Sequence, residues 1–376
     1  MLRAWTVLAA IPLVARAVAA QQTWRIEMAQ LAATVAAAAP GDILLVRGEA
    51  SLAGGLMIRK PLRIHGEAGA ELSLGLPLQV EALGAGQAFV LQNVVVRGAI
   101  GVRQCVGQVL IAGLRGSYSV TVEDCRDVTL HECAAGAGAS DVASVIALHS
   151  SVAIADSDLR GASFGRGSFA EPRPALDAAG CCVRVAHSRL QGGHSEQPDL
   201  RPSQPAVVLL SSDLRLSGGT TAVHAGTNPD RPVHAIDGTG SVVLDPAVLL
   251  TPWQGAAPLG TALRRTLRAH PTTTVARAPI GGGSAVRVRG AAHDPCWLLL
   301  GFPAVPTTHP GVHGELCIGA SLTLVLAGRL DAAGELRVAF PVPAIPELRA
   351  VMVRWQAVVA GRAATFVSEP ATECHF

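Results

Sequence analysis

The chain has 376 residues, of which 49% are hydrophobic, 15% charged and 3% aromatic, with 40 Gly and 24 Pro. That length suits roughly two domains of about 100–200 residues each, and the low charge content excludes a disordered, charge-rich chain. The formal charge of +2 comes from 30 basic and 28 acidic residues. A nearly neutral chain lacks the cationic field that drives nucleic-acid binding, so no nucleic-acid partner is expected.

Met1 to Ala20 reads MLRAWTVLAAIPLVARAVAA, with a positive start at Arg3, an apolar run from Ala4 to Val14 and small residues at Ala17, Ala19 and Ala20. These are the three parts of a secretory signal. The run is shorter than a span of about 20 residues, and Pro12 and Arg16 interrupt it. The competing reading is an uncleaved anchor. The expected location is therefore secreted or cell-surface, with no membrane span after the signal. Loss of Arg3 and Arg16 leaves 28 basic residues against 28 acidic. All eight cysteines (Cys105, Cys125, Cys133, Cys181, Cys182, Cys296, Cys317 and Cys374) lie beyond the signal. An even count in an exported chain permits disulfides, and the lack of a CxxC pair leaves a zinc knuckle without support.

Ile26 to Ala39 is Ala-rich, with Met28, Leu31 and Val35 on one helical side. PGDILLVRGE (Pro40–Glu49) then joins a turn to a β-branched strand start. From there a unit of alternating apolar residues ending in Gly recurs: FVLQNVVVRG, VLIAGLRG, VTLHECAAG, VAIADSDLRG and VRVAHSRLQG. The terminal glycines, Gly98, Gly116, Gly136, Gly161 and Gly192, are 18, 20, 25 and 31 residues apart. Short strands at a spacing near twenty mark a stacked solenoid. Coils about 4.8 Å apart would bury one continuous apolar face, placing Val152, Ile154 and Leu159 between Val128 and Leu130 on one side and Val183, Val185 and Leu190 on the other. Each terminal Gly would supply the positive φ of a tight corner. The segment before Pro40 would cap the open end.

On these residues, on KPLRIHGEAGAEL (Lys60–Leu72) and on the VRQCVGQVL and VEDCRDVTL coils, the sequence resembles the secreted bacterial right-handed parallel β-helix repeat proteins of the pectate-lyase-like superfold. The resemblance covers roughly residues 40–250. It implies the fold, while the activity stays open because one fold hosts many functions. The expected architecture is all-β: a right-handed parallel β-helix over 21–250 with its N-terminal cap, a Pro- and Arg-bearing linker over 251–269, and a small C-terminal β-sandwich over 270–376. SAVRVRGA, CWLLLGF, SLTLVLAGRL, ELRVAFPVP and RAVMVRWQAVV supply the sandwich strands, and GRLDAAGELRV reads as a hairpin. The closing FPVPAIPELRAVMVRWQAVV resembles the C-terminal domain often attached to secreted bacterial repeat proteins, for which no activity is assigned.

Three groups of residues could carry chemistry. Cys105 and Cys125 are one coil interval apart and should stack at a separation compatible with a disulfide. His149 takes the comparable place on the next coil. No fourth ligand is visible beside them, so no metal and no cofactor are assigned. Aligning VTLHEC, VAIADS and VRVAHS stacks Glu132, Asp156 and His187, with Cys133, Ser157 and Ser188 beside them. Two carboxylates about 5 Å apart beside an imidazole could form an acid/base site, though corner positions are also polar simply because they meet water. Lastly, three insertions (163–174, 194–205 and 226–234) should gather into a lobe bringing together Arg166, Arg173, Arg201, Arg231, His194, Glu196, Asp199 and Asp230. Long loops on rigid scaffolds commonly bind ligands, here an anionic or polyhydroxylated chain; the alternative is a solvated, self-neutralising cluster.

The one lysine is Lys60 and the one tyrosine is Tyr118, so the base of any lyase would be Arg or His unless one of those two is placed for the role. The β-helix enzyme signatures GHG with RIK, RxPxxR and GxxDFIFG are absent, as are GxSxG, HExxH and a P-loop. The first reading is a non-catalytic extracellular binding or structural protein whose partner is a polysaccharide or a cell-surface protein. The second is a polysaccharide lyase or glycoside hydrolase using Glu132, Asp156 and His187. Replacing Arg166, Arg173 and Arg201 together is expected to abolish retention on a polysaccharide column, and unchanged retention contradicts a binding role for the lobe.

Overall fold

Three short strands make one coil. Tyr118–Glu123, Asp127–His131 and Ala134–Gly136 form one turn of the chain, and Val145–Leu148, Ser151–Ala155 and Asp158–Arg160 form the next. Each strand pairs in parallel with its counterpart one coil on, as in Val120↔Val145, Val128↔Val152 and Ala135↔Leu159. This is a computed structural model describing residues 21–136, 142–163, 171–196, 202–227, 231–276, 279–319, 323–344, 352–362 and 364–374. The signal-like segment Met1–Ala20 lies outside the described residues. No described helix is long and apolar enough to cross a membrane.

The chain is all-β, and 25 strands from Thr23–Glu27 to Leu263–Leu267 join in one parallel β-helix. Its core is the stack that the repeat spacing predicts. Val128, Val152 and Val183 lie in register, as do Leu130, Ile154 and Val185, and Leu159 with Leu190; each is at most 1% exposed. A short helix, Leu31–Ala37, closes the first coil with Leu31 and Val35 buried, joined by Met28 of the preceding turn. Ile26 belongs instead to the strand Thr23–Glu27. Lys60 Nζ donates to the carbonyls of Ala36 and Ala38, a cation on the negative end of that helix. The parallel pairing continues into 251–269, because Leu263–Leu267 pairs with Ile236–Leu244. LRRTL is mostly exposed, and an edge strand tolerates such charge, which is why its composition reads as a linker.

Two corners of the coil are made by single residues in the left-handed conformation. One column is Asn93, Gly113, Glu132, Asp156, His187 and Gly218; the other is Gln104, Asp124, His149, Gly180 and Ser211, all with φ between 47° and 84°. Asn, Asp, His and Gly are the residues that enter this region most readily. At several of these corners a serine follows and serves the backbone of the neighbouring coil. Ser150 Oγ accepts from Cys125 N at 2.9 Å, Ser212 Oγ from Cys181 N at 3.0 Å and Ser157 Oγ from Cys133 N at 3.1 Å.

This ladder corrects two expectations. His149 stacks on Asp124, and Ser150 is the residue above Cys125. Cys105 and Cys125 are free thiols rather than a disulfide. Their Sγ atoms turn to the carbonyls of Arg103 and Glu123 at 3.3 and 3.1 Å, the bond that Ser150 makes to Leu148 O at 2.7 Å. The repeat glycines also divide in role. Gly116 has the positive φ of 122°, whereas at Gly161 an added Cβ would lie 1.9 Å from Arg173 O, so close backbone approach is what excludes a side chain there.

Most of the C-terminal strands pair antiparallel. Thr272–Ala276, Gly283–Arg289 and Glu335–Pro341 form one sheet; Pro295–Gly301, Thr323–Arg329 and Met352–Ala360 lie in a second. Val275, Val286 and Val288 from the first share one core with Leu298, Trp355 and Val359 from the second. The expected hairpin in GRLDAAGELRV is not formed. The turn is present, with Asp331 accepting from Ala333 N and Glu335 N at 2.9 and 2.8 Å, but the strands on either side enter different sheets.

This C-terminal unit docks on the outer face of the middle strands of the coils. All five residues of Asp127–His131 are buried, where a one-sided strand would expose alternate positions. Met352 packs against Ile43, Leu45, Val90, Leu110 and Ala112. Arg354, 2% exposed, donates from Nη2 to Asp127 Oδ1 at 2.7 Å and Thr129 Oγ1 at 3.3 Å, from Nη1 to Cys317 O at 3.3 Å and from Nε to Thr372 Oγ1 at 3.4 Å. Arg184 reaches Glu315 at 2.6 Å, and Glu369 receives Arg215 at 3.3 Å and His270 at 3.5 Å. Burial alone would raise the Glu369 carboxyl, but Arg215, His270 and Arg184 hold it below its ordinary value.

Breaking one side of a buried pair strands the other charge. Asp127→Ala is therefore expected to destabilise the protein by about 3–5 kcal/mol in urea unfolding, and Asp127→Leu combined with Arg354→Met to recover most of that loss. A single-variant effect below about 1 kcal/mol, the level of a solvated surface pair, contradicts the assignment.

Candidate functional site

The left-handed corner that carries Glu132 and Asp156 opens into a cleft. Its lining includes Glu67, Asn93, Gly113, Arg115, Glu132, Asp156 and Asp158, and it encloses about 890 Å³. A second recess of about 410 Å³ adjoins it, sharing Glu132 and Asp156 and walled by Thr274, Val275, Ala285, Arg287 and Arg337 of the three-stranded C-terminal sheet. The corner is therefore a floor with a wall beside it. Gly66, Asn93, Gly113, Glu132 and Asp156 occupy successive coils, so the floor runs about 19 Å at about 4.8 Å per coil.

The structure brings together two of the three stacked residues. Glu132 and Asp156 are neighbours at φ 52° and 50° and both line the cleft. His131 Nε2 lies 3.3 Å from Asp156 Oδ2 with its side chain 4% exposed. His187 keeps its place in the column, at φ 52°, but lines neither recess. Its Nδ1 bonds Thr220 Oγ1 at 2.9 Å, and its Nε2 is buried without a hydrogen-bond partner among the described residues. Burial lowers the His187 pKa; Asp156 works against that shift, and Arg289 and Arg287 add to it. The imidazole nearest the carboxylates is thus His131, which sequence alignment of the repeats placed in a strand and left out of the site.

The described ends of the insertions lie along one edge. Gly193 N donates to Arg173 O at 2.9 Å, Gln204 N to Gly193 O at 3.1 Å and Gly226 N to Gln204 O at 2.9 Å, which continues the ladder into the loops. They follow the third strand of each coil, so that strand separates them from the Glu132 corner, and none of their described residues lines the cleft. Arg173 pairs with Glu171 at 2.7 Å. His194 Nδ1 contacts Thr227 O at 2.6 Å, and its N–H donates to Ser163 Oγ at 3.1 Å. Glu196 and Arg231 are among the described residues, whereas Arg166, Asp199, Arg201 and Asp230 lie outside them. The wall beside Glu132 and Asp156 includes Arg287 and Arg337. Their alternation in VRVR and LRV marks an exposed strand face, but what that face meets is set by domain docking.

The two side chains considered as bases are committed elsewhere. Lys60 holds the end of the N-terminal helix, and Tyr118, 3% exposed, donates to Leu114 O at 3.4 Å; burial pushes its phenol up. Among the described residues no group of three or more His, Cys, Asp or Glu is placed to hold a metal ion.

No protein-family model and no curated protein matches the sequence. Among solved structures, the chain is similar to the Acinetobacter phage vB_ApiP_P1 tailspike protein, with 9% identity and a TM-score of 0.36 over 90% of this chain and 84% of that one.

His187 has a folded pKa below its unfolded value of about 6.5, so the unfolded chain takes up the proton first. Its contribution to stability is complete above that value and is lost as pH falls. His187→Asn, which suits the left-handed corner, is expected to flatten the decline in melting temperature between pH 7 and 5. Part of the slope should remain with His224 and His270, whose pKa values burial also lowers. An unchanged slope contradicts this.

Proposed function

We propose that this chain is an exported, non-catalytic binding protein that holds an extended polyhydroxylated polymer, a polysaccharide, in the cleft along the Glu132–Asp156 corner. The observation that carries the reading is the pair of carboxylates, Glu132 and Asp156, on adjacent coils of the floor beside a wall from the C-terminal sheet. Carboxylates spaced by the coil repeat accept hydrogen bonds from hydroxyl groups that recur along a chain, and bonds to charged acceptors contribute more than neutral ones. The floor is set by backbone pairing, so little ordering is needed when a ligand arrives. The signal-like N-terminus supports an extracellular setting for such a ligand.

A catalytic reading is favoured by one feature. Glu132 and Asp156 stand on adjacent coils about 4.8 Å apart, close to the carboxylate separation of about 5–5.5 Å in retaining glycosidases. Against it stand His187, turned away from the cleft, and the commitment of Lys60 and Tyr118 to other bonds.

A panel of polysaccharides in affinity electrophoresis, followed by an assay for new reducing or unsaturated ends, separates the two. Retention without new ends is expected, with Glu132→Gln and Asp156→Asn each weakening it about ten-fold or more. New ends that vanish in Asp156→Asn would make the protein an enzyme at this site. Retention indifferent to both substitutions contradicts the cleft.

A further inference from the structure

The outer face of the three-stranded C-terminal sheet carries an arrangement that sheets usually avoid. Thr274, Arg287 and Arg337 lie directly opposite one another across its strands, and the neighbouring row is Thr272, Arg289 and Glu335. Like charges directly opposite destabilise an antiparallel pair, yet Arg287 and Arg337 are cross-strand partners. Among the described residues, the ion pairs of all three arginines converge on Glu335: Arg287 Nε at 2.7 Å, Arg289 Nε at 3.4 Å and Arg337 Nη2 at 2.8 Å. One carboxylate against three guanidiniums leaves a surplus of two positive charges. Arg287 and Arg337 line the recess that Glu132 and Asp156 border from the other side. Both remain accessible, with side chains 39% and 66% exposed.

We propose that Arg287 and Arg337 form an oxyanion subsite of this cleft, taking a carboxylate or sulfate ester carried by the polymer. The inference rests on the reading of the cleft as a polymer site and adds the chemical class of the ligand. Guanidinium forks match planar oxyanions in two-point contacts. The opposite side presents Glu132 and Asp156, which repel anions and accept from hydroxyls. The two sides together select a polymer with oxyanions along one edge and hydroxyls along the other, and they fix which edge faces which domain. A neutral polymer adds no counter-charge to the surplus on the arginine row, and a polymer anionic on both edges meets the carboxylate floor.

The test uses the full chain and three probes: alginate for carboxylates, dextran sulfate for sulfate esters, and neutral dextran. The protein is expected to bind alginate or dextran sulfate at least ten-fold more tightly than dextran, and which of the two prevails identifies the oxyanion. Added salt should erode that advantage. Arg287→Gln with Arg337→Gln should collapse it, and Glu335→Gln, which removes the one neutralising carboxylate, should enlarge it. A thermal melt at or above the parent value for the arginine pair establishes that the change is in binding and not in folding. Equal binding of dextran and the acidic polymers, or an advantage unaffected in the arginine pair, overturns the subsite. Dextran binding that is lost in Asp156→Asn but independent of the arginines overturns the subsite alone. Retention of none of the three overturns the cleft reading with it.

Discussion

The buried pair of Arg354 and Asp127 decides where the second half of this protein sits, and much else follows from that. A guanidinium and a carboxylate removed from water are tolerated only when each finds its partner with good geometry. Here the two groups belong to different structural units, 227 positions apart in the chain. Satisfying them brings Met352 onto Ile43, Leu45, Val90 and Leu110, so charge sets the position and apolar contact fills the space around it. Glu369, surrounded by Arg184, Arg215 and His270, repeats the arrangement further along the same face. The docked unit overlies the middle strands and brings its three-stranded sheet beside the corner that holds Glu132 and Asp156. Without that placement the corner would be an open edge of a solenoid; with it, the corner becomes the floor of a cleft.

The corner serves two ends with the same residues. A left-handed turn at each coil favours Asn, Asp, His and Gly for conformational reasons, and these side chains also hydrogen-bond ligands. A polar corner column is therefore weak evidence of function by itself. What distinguishes this one is its surroundings: an imidazole on Asp156, a recess on each side, and a cationic sheet across from the carboxylates. The other left-handed column, through Asp124 and His149, has comparable residues and borders none of the described recesses. The small residues following both corners answer to the backbone, their hydroxyls and thiols bridging successive coils.

The repeat was legible because stacking converts sequence interval directly into spatial neighbourhood. Val128, Val152 and Val183 recur at the coil interval and lie in register, and the same interval stacks Glu132, Asp156 and His187. His149 was displaced by one residue because the interval from Cys125 to the next small residue is set by the corner, and a cysteine gives way to Ser150 there. Relations between distant segments were harder to read. The apolar runs ILLV, FVL and VLIA already carried residues on both faces of the strand, the pattern of a sheet covered on both sides, but nothing local shows what covers it. The turn at Asp331–Gly334 had hairpin chemistry, yet each adjoining strand found its partners in a different sheet. The alternation in VRVR and LRV puts Arg287 and Arg337 on one strand face, but what that face opposes is set by docking.

The central claim is that one ligand is held between the β-helix corner and the C-terminal sheet. Hydrogen-exchange mass spectrometry of the full chain, with and without a retained polysaccharide, addresses it most directly. Protection is predicted in two places at once, around Gly113–Arg115, Glu132–Ala134 and Asp156–Asp158 on the β-helix and around Thr274–Ala276 and Ala285–Arg287 on the sheet. Protection confined to the loop lobe near Arg173 and His194, or to one of the two units alone, would contradict it.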